Sequence, residues 1–598
     1  MGSNFTLLDG SIVGFYLLVT MVAGIMVRKY VGKVEHFLVA GREMNVYLGI
    51  ASLAATEFGI VTCMYTAQKG YTQGFVGAIP GICNAVAMFL VGYTGFCVKP
   101  LRDSGVMTIP ELFERRYGSF VRWLAGVVIV VGGLLNMGVF LRVGGQFLVV
   151  CCGMKVQYLE IAMTVLLLGV AVYTILGGML SVLVTDFLQF VVMSVGLLAV
   201  TILVLWNVGW TSLVDTVTSS FGAKGFNPFV HKDGIFKITE FDTGWGFVIA
   251  NLLTNTAAVL TWQTCIARLL SAKDTKTGRK VYTGTAFFFV CRWVIPGIWG
   301  IAALGGVASG FLSSEHLAGI AKTMGEKDSS LFAMPYYLSQ LVPAGLMGVL
   351  VAAMLAADMS TDSSYMLTWG SVIYNDILAP FRGKSEPKTI KNIKIVCVLA
   401  GFVILYLALF GAGKAGTVMH FLGISLGLAL FLFGLMYKPG PDKAAISEAR
   451  GILWNRFIVA AIGIFLMFWG LWYKLEGNLW EYLQTTGTIY LASMSTLLIA
   501  CCYWKRANNW GATAAIIVGA VLPISSLAVN MAHKVQIPVL DKAGKAVLDA
   551  VGQATMTEVG WAKLHVGDAW VNIGTYAIVA IAMLVGSMIK PRAEDTNV

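Results

Sequence analysis

Ala356-Ala357-Asp358-Met359-Ser360-Thr361-Asp362-Ser363-Ser364 lies inside an apolar run that extends over residues 344–376. Four hydroxyls crowd into little more than one helical turn. At about 100° per residue, Ser360, Ser363 and Ser364 share a face that Thr361 and Ala357 flank. In hydrocarbon such a stretch is costly, so it marks a functional site. Several neutral oxygens at close quarters suit a hard monovalent cation such as Na⁺, which takes oxygen ligands as Ca²⁺ does. The plainer alternative is that the hydroxyls satisfy carbonyls of the preceding turn and let helices pack closely.

The rest of the chain agrees with lipid as its solvent. Of 598 residues, 57% are hydrophobic and 12% charged, about half the charge of a soluble domain. Fifteen spans are expected near 10–27, 46–68, 73–97, 119–150, 155–176, 181–208, 245–265, 281–311, 344–376, 391–411, 417–437, 452–473, 484–504, 511–531 and 571–590. No Lys or Arg precedes the first span, and Arg28-Lys29 follow it, so the N-terminus is expected outside. Alternating from there, cytoplasmic loops collect Lys33, Arg42, Lys99, Arg102, Arg115, Arg116 and the run Arg268 to Lys280. Lys438, Lys443, Arg450, Lys505, Arg506, Lys590 and Arg592 follow on the same side, with the C-terminus in the cytoplasm. The net charge of +11 is thereby explained by a multi-pass protein of the cell membrane and needs no nucleic acid. The external segments around 209–244 and 532–570 are expected to be ordered loops or short surface helices. The ten cysteines fall in or beside apolar spans without zinc-ligand spacing. They read as small core hydrophobes.

Three further groups of polar residues interrupt apolar spans. Asp186 lies within two turns of a span's start, in Gly177-Gly178-Met179-Leu180-Ser181-Val182-Leu183-Val184-Thr185-Asp186-Phe187-Leu188-Gln189. The plain alternative is an exposed helix-start acid that favours the positive N-terminal dipole; its depth argues for a buried partner, a cation first of all. Ala54-Ala55-Thr56-Glu57-Phe58-Gly59-Ile60-Val61-Thr62 places Glu beside Gly at mid-span, which predicts an unwound helix whose freed carbonyls coordinate an ion. The alternative is a continuous helix with Glu57 paired to an Arg. Asn136 and Arg142 lie in span 119–150, and Arg292 in span 281–311. Each Arg is expected to pair with Glu57 or Asp358, or to anchor a substrate carboxylate. Gly423-Ile424-Ser425-Leu426-Gly427 imitates a hydrolase elbow but follows no strand. The six histidines lie mostly outside the spans, so an embedded enzyme is not expected.

At these residues the chain resembles the sodium:solute symporter family, which includes bacterial sodium-coupled proline, galactose and sialic acid transporters. The likeness rests on His36-Phe37-Leu38-Val39-Ala40-Gly41-Arg42 and on Thr108-Ile109-Pro110-Glu111-Leu112-Phe113-Glu114-Arg115-Arg116. Gly177 to Gln189, Met359-Ser360-Thr361, and Trp504-Lys505-Arg506-Ala507-Asn508 with Gly511-Ala512 complete it. The resemblance implies an all-α, five-plus-five inverted-repeat fold of the leucine-transporter type, in one transmembrane domain over 1–590. Its parts are an extra N-terminal helix at 10–27, a first repeat over 46–265 and a second over 281–531. A C-terminal helix at 571–590 and a cytoplasmic tail at 591–598 complete it. In departure from the family, spans 391–411 and 417–437 are surplus and read as a helical hairpin inserted at 387–448; the alternative is that they are core helices nine and ten.

The resemblance also implies ligands. Ala55 and Phe58 with Ala357, Ser360 and Thr361 match the family's main sodium site. Asp186 with Ser360, Ser363 and Ser364 matches a second, which implies two sodium ions per cycle. Glu57, Thr62, Asn136, Trp262 and Gln263 are expected to line the solute pocket. Asp358 and Asp362 depart from the family pattern. The expected activity is import of a small polar solute (sugar, organic acid or amino acid) by alternating access. A sodium-binding channel or sensor on the same fold is the rival.

Overall fold

A computed structural model describes residues 3–229, 244–326, 328–378, 390–399, 448–472, 479–538, 556–561, 566 and 568–589. Among them, ten helical stretches are long and apolar enough to cross a membrane. The element order is α1 Leu7–Val27, α2 Val46–Glu57, α3 Ile60–Gln73, α4 Ile79–Thr94, α5 Ser119–Met137, α6 Phe140–Cys151 and α7 Leu159–Val208. Then come α8 Trp245–Thr261, α9 Gln263–Ser271, α10 Thr275–Ala308, α11 Leu346–Val372, α12 Glu448–Trp472, α13 Leu479–Tyr503, α14 Asn509–Ala532 and α15 Asp568–Ile589. The inserted hairpin expected at 387–448 lies, apart from helical residues 390–399 and Glu448 at the start of α12, outside the described residues, as does the tail at 591–598.

Local chemistry sets where these helices start and stop. The Asn45 side chain accepts the Leu48 N–H at 2.9 Å and caps α2. Asp9 in the first turn of α1 accepts the Thr6 N–H at 2.7 Å. Its other oxygen takes the N–H groups of Gly345 and Gly348, at 2.7 and 2.6 Å, at the start of α11. A carboxylate there meets both unpaired donors and the positive end of the helix dipole. It also clamps the extra N-terminal helix to the hydroxyl-rich one. Within α7, Gly178 takes φ 55° and ψ −148°, splitting a 50-residue helix into two crossings. Only glycine suits that backbone, and a Cβ there would stand 2.6 Å from the Phe37 carbonyl oxygen.

Two helices are discontinuous. The first runs α2–break–α3, with Phe58 at φ −97°, ψ 28° and Gly59 at ψ 162°. The unwinding expected beside Glu57 is therefore present. The second runs α8–break–α9 at Trp262, φ −64°, ψ 123°. Reading 245–265 as one span missed this break, because Trp262-Gln263 carries no glycine or proline. That reading also ended the segment too early, since α9 continues, buried, to Ser271. The 119–150 span bends between α5 and α6. Around 532–570 the outcome differs from the helices or loops expected. Lys534–Pro538 and Met556–Gly560 pair as antiparallel strands, Lys534 opposite Gly560. Val535, Ile537 and Val559 supply the β-branched residues such a ribbon favours.

Candidate functional site

The core of the bundle forms where both broken helices meet α7 and α11. Every residue from Leu350 to Gly370 of α11 is buried, both acids and the hydroxyls of Ser360, Thr361, Ser363 and Ser364 included. At the first break Thr361 Oγ1 donates to the carbonyls of Thr56, at 2.8 Å, and Ala357, at 2.9 Å. Among the described residues the Phe58 carbonyl meets only the Cys63 thiol, at 4.0 Å. A Cβ on Gly59 would lie 2.5 Å from Thr361 Oγ1. Of the residues expected at the main sodium site, Thr361 ties α11 to this discontinuity, and the Ala55 carbonyl beside it accepts the Phe58 N–H at 3.2 Å. Ser360 departs from this set. Its hydroxyl turns to Asp186 Oδ1 at 2.6 Å and to the Thr56 hydroxyl at 3.2 Å.

Asp186 gathers Ser52 at 2.5 Å and Ser360 on its two oxygens. The Ser364 hydroxyl lies 3.0 Å from that of Thr56. Ser363 is not part of the group. Although it shares a helix face with Ser360, its hydroxyl bonds back to the Ser360 carbonyl at 3.2 Å. The cation that Asp186 calls for is part of the chain. Arg268 Nη2 lies 2.9 Å from Asp186 Oδ2, 2.7 Å from Thr56 Oγ1 and 2.5 Å from Ser364 Oγ, and Nε lies 3.0 Å from Ser52 Oγ. Assigning Arg268 to a cytoplasmic loop was wrong. It is fully buried on α9. Its place at the end of an apolar span imitates a flanking charge; only the equal depth of Asp186 hints otherwise.

Beside the first break lies a cavity of about 100 Å³. Glu57, Thr62, Asn136 and Trp262 line it as expected, and Gln263 does not. Gln263 follows the Trp262 break and donates to the Thr261 carbonyl at 3.3 Å. Asn136 donates to the Leu483 carbonyl at 2.8 Å and to Thr486 Oγ1 at 2.9 Å. Trp262 Nε1 donates to the Tyr365 hydroxyl at 3.0 Å. Glu57 pairs with Arg292 at 2.9 Å and accepts the Thr264 hydroxyl at 2.5 Å, which satisfies one of the pairings expected for it. Arg142 does not pair with Glu57 or Asp358. Its partner is Glu326, at 3.5 Å, on the segment before α11.

Asp358 and Asp362 are buried, and neither has an ion-pair partner among the described residues. Sequence reasoning missed Asn84, Asn255 and Gln484, which also line the cavity. They are amides in apolar spans, the same signal that singled out Asn136. Asn84 donates to Asn255 at 2.9 Å and Gln484 to Asn251 at 3.0 Å. That leaves Asn84 Oδ1 and Gln484 Oε1 buried without a donor.

Broken helices that meet at a buried polar cavity within a bundle of membrane-length helices are the architecture of a membrane transporter. A model of the Sodium:solute symporter family matches residues 37–439. The chain belongs to that family, one of sodium-coupled transporters and not of enzymes. The Sodium/glucose cotransporter of Vibrio parahaemolyticus is 25% identical over 439 residues, covering 69% of this chain and 77% of that protein. Sodium/glucose cotransporter 1 of Ovis aries is 25% identical over 496 residues, 76% of this chain and 71% of that protein. A solved substrate-bound, outward-open Na⁺-coupled sialic acid symporter superposes with a TM-score of 0.69 at 16% identity. It covers 98% of this chain and 99% of that one, so the two share a fold.

Proposed function

We propose that this sodium-coupled symporter imports a small polar solute by alternating access. In this reading sodium seats between the first break and α11, held by carbonyls of Ala55, Phe58 and Ala357 and the hydroxyl of Thr361. The solute occupies the adjoining cavity. The observation that carries the proposal is the shared wall between the two: Glu57, Gly59 and Thr361 line the solute cavity at the break where the cation would sit. Binding of either ligand therefore orders residues the other needs, and such coupling is reciprocal. The charged lining residues, Glu57 and Arg292, neutralise each other, and the remaining polar lining is amide and hydroxyl. Asn84 Oδ1 and Gln484 Oε1 offer acceptors to a solute that brings donors. This favours a neutral hydroxylated solute such as a sugar, or a zwitterionic amino acid, over a simple organic anion.

The fold is organised, in the same reading, as two inverted repeats over 46–265 and 281–531. Both discontinuous helices open or close the first of these stretches, the second of them running on to Ser271, with α1 and α15 added and the 387–448 hairpin inserted. The N-terminus faces outward and the C-terminus the cytoplasm. The test is a thermal-shift series on purified protein with sodium, lithium and potassium, crossed with sugars, amino acids and organic acids. Sodium raises the melting temperature, and the transported solute raises it further only when sodium is present, since ligand bound to the folded state stabilises by mass action. A solute that stabilises equally without sodium would refute the coupling.

A further inference from the structure

Arg268 is a buried charge that the cycle just described leaves without a task. It sits on α9, six residues beyond the Trp262 break, with none of its surface exposed. Four side-chain oxygens surround its guanidinium at 2.5–3.0 Å, from Ser52 and Thr56 on α2, Asp186 on α7 and Ser364 on α11. Asp186, Ser360 and Ser364 are residues in which the family pattern places a second sodium ion. Here Asp186 and Ser364 ligate nitrogen.

We propose that the Arg268 guanidinium is a tethered replacement for that second sodium, so the carrier loads one sodium per cycle, at the Thr361 seat. The inference rests on the symport reading above and sets one ion per cycle where the resemblance implies two. Charge balance supports it. The cluster contains one carboxylate and one guanidinium, which neutralise each other. A sodium ion added beside them would be an uncompensated charge in a site that excludes water. Arginine keeps its proton throughout, so the seat does not empty by deprotonation. The guanidinium also does mechanically what a free ion would do, joining α2, α7 and α11 at one point. It differs in being carried on the half-helix that begins at Trp262, a residue that lines the solute cavity. Movement of that half-helix with the solute moves the cation too, with no dissociation step.

Equilibrium binding of radioactive sodium to the purified full-length protein tests this by counting ions. Wild type binds one sodium per chain with a Hill coefficient near 1, and Thr361→Ala weakens that binding at least fivefold. Arg268→Gln exposes Asp186 as a sodium ligand, and the count rises to two. Asp186→Asn/Arg268→Gln removes both charges and returns the count to one, with the wild-type affinity. Two ions on wild type, or one on Arg268→Gln, overturns the proposal while leaving sodium symport intact. If Arg268→Gln does not fold, the wild-type count and the charge-neutral double variant decide: two ions on either overturns it. Absence of sodium binding by wild type overturns instead the symport reading on which the proposal rests.

Discussion

Gly59→Ala is the sharpest perturbation of the cation seat, because it changes geometry without removing a ligand. The backbone there, at φ −53° and ψ 162°, accepts alanine. The added Cβ would stand 2.5 Å from Thr361 Oγ1 and 3.2 Å from Thr361 Cβ, against an ordinary contact of about 3.5 Å. Thr361 must therefore yield by about 1 Å, which breaks its bonds to the Thr56 and Ala357 carbonyls and aims its oxygen away from the seat. Overpacking of this kind costs about 1–3 kcal/mol, and loss of a hydroxyl partner about 0.5–1.5 kcal/mol. With about 1.4 kcal/mol per tenfold, sodium affinity falls about tenfold in Gly59→Ala and about fivefold in Thr361→Ala. In the Thr361→Ala background the methyl of residue 59 meets no oxygen. The double variant is then weaker than either single variant by much less than the product of the two effects, as expected for residues in contact. Titration of intrinsic fluorescence with sodium, at constant ionic strength maintained with potassium, measures all four proteins. Wild-type sodium affinity in Gly59→Ala, or strictly multiplicative effects in the double variant, would refute the placement of the ion at this break.

Asn136→Ala removes the bonds to Leu483 and Thr486 at the solute cavity. Stabilisation by the transported solute should drop at least tenfold in affinity while the response to sodium alone stays at the wild-type level. Glu57→Gln strands Arg292 in the interior, where breaking a buried pair costs about 3–5 kcal/mol. The melting temperature should fall by several degrees, and Glu57→Gln/Arg292→Met should recover part of the loss. Gly178→Ala forces a left-handed φ and a 2.6 Å contact with the Phe37 carbonyl. It should fail to yield monodisperse protein in size-exclusion chromatography, whereas Gly169→Ala, with nothing within 4 Å of its added methyl, should behave as wild type.

Local sequence determined much of this protein. Hydropathy is additive over a window of about 20 residues, so the lipid-embedded class and most helices follow without knowing any contact. The break at Phe58-Gly59 and the hydroxyl-rich turn of α11 were legible for the same reason: each violates the apolar rule within a few adjacent residues. The split of α7 at Gly178 was legible as a boundary between two spans.

Pairing was not legible. Which arginine neutralises which acid depends on helices that are distant in sequence reaching the same depth, and one chain contains no record of that. Glu57 with Arg292, Arg142 with Glu326 and, above all, Asp186 with Arg268 were therefore decided only by the tertiary structure. The break at Trp262 belongs with them, since no helix-breaking residue announces it and packing alone makes it. Lipid selects residues one span at a time, whereas a dry interior balances charge across the whole bundle. That balance is why Asp186 on α7 meets Arg268 on α9, 82 residues further along the chain.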